Sequence, residues 1–149
     1  AAPAVAAALA LSTVSGMALA HSGATGIVKE RMDAMSEIGR QMQIVGGMLK
    51  GGTYDAAQVS AAGRIIAGHA GSSLVDLFPE DSLQAPTEAS PAIWADWATF
   101  QANAGELEAA ALALAGLADR GAGRQEIAPA FQTLAGTCKT CHQSFRIKK

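Results

Sequence analysis

Cysteine is nearly missing from this chain: its 149 residues include two, Cys138 and Cys141. A structural zinc site takes four ligands, usually as two Cys/His pairs. The second pair is not there, because His21 and His69 stand far from the cysteines and from each other. Aromatic residues are scarce at 5%, runs of β-branched residues are absent, and alanine is abundant. That balance favours helices over strands. With no strand pattern near the cysteines, a thioredoxin-like redox pair, which sits in a βαβ context, is disfavoured as well. Net charge is −2, and no basic stripe stands out, which argues against nucleic acid as a partner. There is no serine–histidine–carboxylate grouping, no glycine-rich phosphate loop and no carboxylate pair at a recognisable spacing, so the chain is not expected to be an enzyme.

Charge is also missing from Ala1 to Ala20. This stretch runs through an apolar core from Val5 to Leu11 and closes on Ala18-Leu19-Ala20, the pattern of a secretory leader, with cleavage expected before His21. The apolar run is short and interrupted by Ser12, Thr13, Ser15 and Gly16, which makes it a poor spanning helix. No membrane span is expected in the mature chain. Residues 21–149 then form one domain with a single core.

What the chain does carry is Cys138-Lys139-Thr140-Cys141-His142, close to its C-terminal end. Cys-x-x-Cys-His is the attachment sequence of c-type haem. Two thiols add across the two vinyl groups of a porphyrin, and the adjacent imidazole becomes an axial ligand of the iron. On a helix, positions three and four apart share a face, so Cys138, Cys141 and His142 can address one macrocycle. One covalent haem c per chain accounts for both cysteines. Thioether attachment in bacteria takes place outside the cytoplasm, so the leader fits the motif, and the expected location is the periplasm.

Apolar residues recur at steps of three and four in four segments, which predicts four amphipathic helices. The first runs from about 25 to 50, with Val28, Met32, Met35, Ile38, Met42, Val45 and Leu49 on its inner side, and Gly51-Gly52 ends it. The second spans roughly 54 to 73. A long turn-rich connection follows, from 77 to 90. The third helix opens on Ser90 and Pro91 and carries Ile93, Trp97, Phe100, Leu107, Ala111, Leu114 and Ala118. Gly121-Ala122-Gly123 breaks it, and the last helix holds Ile127, Phe131, Leu134, Cys138, Cys141 and Phe145 on one stripe. The expected fold is all-α: an antiparallel four-helix bundle in up-down-up-down order, with the haem inside, near the C-terminal helix.

A helical bundle with Cys-x-x-Cys-His near its C-terminus resembles the cytochrome c′ family, the class II c-type cytochromes. Leu77-Phe78-Pro79 followed by Ala92-Ile93-Trp94 is similar to the family's loop and third-helix entry, and Cys138 to Arg146 to its haem-binding stretch. The resemblance implies His142 as proximal ligand, with Arg146 four residues on beside the imidazole; a solvated C-terminal arginine is the plainer alternative. It also places Arg31 and Met35 on the distal face. In low-spin members a methionine at that point binds the iron, which suits a carrier of single electrons between redox partner proteins. In five-coordinate members an apolar side chain only covers the face, and the protein binds nitric oxide or carbon monoxide. Both readings of Met35 stand at this point, with Met32 as a substitute ligand and with methionine as a common core filler. Arg31 matches a position that in five-coordinate members lies near a haem propionate. The family also implies a possible homodimer through the first two helices, where Gly46-Gly47 and the alanines of helix two would permit close contact. Trp94, Trp97 and Phe100 are expected in the core, and His69 as a packed or surface residue. Lys139, Arg146, Lys148 and Lys149 either steer an acidic partner or complement the last helix's dipole.

Overall fold

Helix α1 (Gly26–Leu49) stops at the glycines that follow it. Gly51 takes φ +123°, and the Gly52 N–H donates to the Gly47 carbonyl at 3.0 Å, a back-bonded closure that favours a residue without Cβ. The computed structural model describes residues 23–147; the expected leader over 1–20, its cleavage point before His21, and Lys148 and Lys149 lie outside them. Helix α2 (Ala56–Gly68) opens on Asp55, whose carboxylate accepts from the Ala57 and Gln58 amides. Two short helices, α3 (Gly71–Val75) and α4 (Ala92–Ala95), flank the long connection. Helix α5 (Trp97–Asp119) ends as α1 does: the Gly121 N–H donates to the Ala118 carbonyl and the Ala122 N–H to that of Leu117. Helix α6 (Arg124–Phe145) completes the chain of elements.

The four long helices α1, α2, α5 and α6 form the predicted bundle. Helix α1 packs on α2, α2 on α5, α5 on α6, and α6 returns to α1. Consecutive long helices are neighbours and the first meets the last, so the order is up-down-up-down. Val45, Val59, Ile66, Leu114, Ile127 and Leu134 are fully buried where these helices meet. Gly63 lets α2 lie close on α5: a Cβ there would sit 2.7 Å from the Ala111 carbonyl oxygen. No helix among the described residues is long and apolar enough to cross a membrane.

Three details depart from the periodicity. The second predicted helix is broken after Gly68, where His69 forms the C-cap, and the chain restarts at Gly71 with φ +56°. A side chain at Gly71 would collide with the Glu108 carboxylate. The third predicted helix is broken at Asp96, which leaves the helical region (φ −132°, ψ 59°) and recaps α5 by accepting from the Thr99 amide. The inner face of α1 is also turned. Arg31, Ala34, Gln41 and Met48 are buried beside Val28, Ile38 and Val45, whereas Met32, Met35, Met42 and Leu49 are half-buried. Of the paired glycines, Gly46 faces the Phe131 ring inside the bundle and only Gly47 looks onto open space.

Candidate functional site

The connection between α3 and α4 is tied both to the first helix and to the last. Along its middle and later part, Arg31 of α1 reaches into it and donates to the Ser82 hydroxyl (2.8 Å), the Ser82 carbonyl (2.6 Å) and the Thr87 hydroxyl (2.8 Å). The guanidinium lies 4.8 Å from the centre of the Phe78 ring, and it is buried to 3% exposure. Burial pushes its pKa down; none of these acceptors is a carboxylate. At the far end, the Ser90 amide donates to the Phe145 carbonyl (2.9 Å) and the Ile147 amide to the Glu88 carbonyl (2.8 Å). Ala89 and Arg146 form an antiparallel bridge between them, and the Arg146 guanidinium pairs with the Glu88 carboxylate.

Behind this strap lies a cavity of about 690 Å³, in the range of roughly 300–1,000 Å³ that suits a small-molecule or cofactor site. Helix α1 lines it with Arg31, Met32 and Met35, and α6 with Cys141, His142, Phe145 and Arg146. Phe78, Ile93 and Phe100 add an apolar wall. Phe100 is the hub of an aromatic cluster, in edge contact with Phe78 and Phe145 (4.8 and 5.5 Å between centroids) and stacked on Trp97. Trp94 is half-buried, and its indole N–H donates to the Phe78 carbonyl at 3.0 Å.

Cys138, Cys141 and His142 come together on α6 as their spacing predicts. Both cysteines are free thiols and half-buried, and both pack against the core. Burial raises both thiol pKa values, which keeps the sulfurs protonated at neutral pH. The Cys138 thiol points at the Leu134 carbonyl at 3.7 Å, and that of Cys141 is hydrogen-bonded to Asn103 of α5. His142 is exposed to solvent along α6. Enough protein surrounds its ring that burial lowers its pKa, Arg146 adds to the lowering, and Glu88 opposes it. Both lowering effects favour the neutral imidazole, the form in which it ligates a metal.

Arg31 and Met35 both line the cavity, and Arg31 also pins the connection. His69 does not reach the cavity; it caps α2, half-buried. Lys139 is exposed on α6. Three site residues escaped the sequence reading. Asn103 is a buried polar residue in the apolar rhythm of α5, a visible but unspecific signal. Glu88 and Thr87 sit in the turn-rich connection, where nothing in the local pattern marks them.

The donor set fits a thioether-bound haem. Cys141 and His142 line an apolar cavity of cofactor size, and the second free thiol, Cys138, stands one turn before Cys141 on the same helix. Among the described residues no three His, Cys, Asp or Glu side chains gather as a bare metal cage would require. Such a bundle is built as a c-type haem protein. Comparison with known proteins agrees. The family model for cytochrome c′ matches residues 26–146. A cytochrome c-556 from Agrobacterium fabrum is 39% identical over 127 residues, covering 85% of this chain and 84% of that protein. The crystal structure of cytochrome c′ from Rhodopseudomonas palustris superposes with a TM-score of 0.77 at 32% identity, covering 85% of this chain and 99% of that one. A nitric oxide complex of a mutant cytochrome c′ from Alcaligenes xylosoxidans superposes at 0.70 with 26% identity, covering 83% and 94%. The chain belongs to the cytochrome c′ family, the class II c-type cytochromes. Its cofactor is haem c, bound covalently through cysteine, and Cys138 and Cys141 are the two cysteines it has.

Proposed function

We propose that the protein carries single electrons in the periplasm, with His142 and Met35 as the axial ligands of its one haem. The observation that carries this reading is the composition of the cavity: it receives the His142 imidazole from α6 and the Met32 and Met35 thioethers from α1. Bound haem supplies a one-electron couple between ferric and ferrous iron. Cys138 and Cys141 anchor it, and His142 offers a neutral ring nitrogen. Met35 offers a soft sulfur that favours the ferrous state, and its helix is held in place by the Arg31 bonds to the connection. Phe78, Ile93, Phe100 and Phe145 keep water from the apolar wall. Residues 21–149 form the exported domain, released from the leader over 1–20. Redox partner proteins meet it at the α6 surface around Lys139, and Ile44 and Ile65, both exposed, give α1 and α2 an apolar face for a homodimer.

A second reading keeps the same haem anchors and makes Met35 a cover, with a small gas entering beneath it. The solved nitric oxide complex of an Alcaligenes relative favours it, as does the half-buried state of Met35. Electron paramagnetic resonance of the oxidised protein separates the two. A low-spin ferric signal is expected for His142/Met35 ligation, and a high-spin signal would overturn it in favour of gas binding.

A further inference from the structure

We propose that Glu88 is a positioning residue for the axial imidazole: by pairing with Arg146 it fixes the charge that His142 faces, and with it the reduction potential of the haem. The inference rests on His142 being the iron ligand. Arg146 stands one helical turn beyond His142, and its backbone N–H donates to the His142 carbonyl at 3.2 Å. Its side chain approaches Glu88 with both Nε and Nη2, each directed at Oε2. Both residues share the cavity wall with His142.

Glu88 does not reach this place by side-chain flexibility. The Ile147 amide holds its carbonyl at 2.8 Å, and the Ser90 amide holds the Phe145 carbonyl at 2.9 Å. The Ala89–Arg146 bridge between these bonds fixes the register of 88–90 on the end of α6. A carboxylate is therefore carried from a remote part of the sequence to Arg146, the C-cap of α6 one turn beyond His142. The pair is incompletely exposed, at 52% for the Arg146 side chain and 33% for that of Glu88, so its field on the ring is only partly screened by water.

The electrostatics give opposite signs for the two partners. Oxidation adds a positive charge to the iron. Arg146 without this carboxylate beside it disfavours that and raises the potential; the carboxylate without Arg146 favours it and lowers the potential. Together the two nearly cancel.

Spectroelectrochemical midpoint potentials of the holoprotein test this, using Glu88→Gln, Arg146→Gln, the double variant and Arg146→Lys. Arg64→Gln on α2 serves as a charge control. The potential should rise in Glu88→Gln, fall in Arg146→Gln, and return close to wild type in the double variant and in Arg146→Lys. Both single shifts should shrink as salt is added. Shifts of the two single variants in the same direction would mean that the strap has merely opened, and the proposal falls. Shifts no larger than that of Arg64→Gln overturn it too. Absence of covalent haem from the wild-type protein would bring down the ligand reading together with this one, whereas coloured proteins with unsplit potentials bring down the pairing alone.

Discussion

Arg31 carries an obligation that few buried side chains carry: a full positive charge, 3% exposed, satisfied by two hydroxyls, a carbonyl and an aromatic face. Hydrogen bonds to charged groups contribute more than neutral ones, and the planar guanidinium reaches several acceptors at once, which an ammonium cannot. Arg31→Leu should lower stability by about 2–3 kcal/mol, read from the midpoint of a urea titration, and Arg31→Lys should recover little of it. A change under half a kilocalorie in Arg31→Leu would show the bonds to be incidental. The role of Arg31 as a pin was not legible in the sequence, because Ser82 and Thr87 lie 51 and 56 positions away. The closeness of Cys138, Cys141 and His142 was legible for the opposite reason: the motif sets three residues at one short spacing, and α6 preserves it.

Helix stops followed the glycines, while helix breaks did not follow the periodicity. Gly51 and Gly121 adopt positive φ and end α1 and α5 where the sequence places the stops. The apolar rhythm, by contrast, runs on through Ile93, Trp97 and Phe100 although Asp96 interrupts the backbone between them. A capping carboxylate inside an apolar run is outvoted in any reading by pattern. Helix α2 lies close on α5 at Gly63, and Gly63→Ala tests that contact. Its added methyl would lie 2.7 Å from the Ala111 carbonyl oxygen and 3.0 Å from the Ala115 Cβ. The helices would have to part, at a cost of about 1–3 kcal/mol by urea denaturation. Equal stability would mean that the crossing is looser than described.

The same two helices are joined by a polar tie. Asp119 of α5 accepts from the Ser60 hydroxyl (2.5 Å) and pairs with Arg64, both of α2. The Ser60 hydrogen bond does most to lower the Asp119 pKa; burial opposes it, and the charge and hydrogen bond of Arg64 lower it further, for a net lowering. A carboxyl whose pKa is lower when folded contributes stability that is present above its unfolded pKa and is lost as pH falls through the folded one. Wild type should therefore exceed Asp119→Asn in stability at neutral pH, and the gap should close as the solution is acidified below the usual carboxylate range. A gap independent of pH would remove the tie from the account.

At the scale of the whole molecule, the bundle brings one imidazole and two thioethers to a single cavity and straps a connection across it. The fold class and the haem anchors were readable, because helical periodicity and a covalent attachment motif are both local signals. The strap was not, since its partners meet only in the folded chain, and the turned face of α1 was not, because the cavity takes the place of core packing beside Met32 and Met35. The proposed His142/Met35 ligation is therefore tested at Met35. The most direct measurement is the absorption spectrum of the reduced protein and of Met35→Ala, each before and after addition of carbon monoxide. The account predicts a sharp low-spin spectrum that ignores the gas in the wild type, and a high-spin spectrum that shifts on adding it in the variant. A wild-type protein that binds carbon monoxide as readily as Met35→Ala would contradict it.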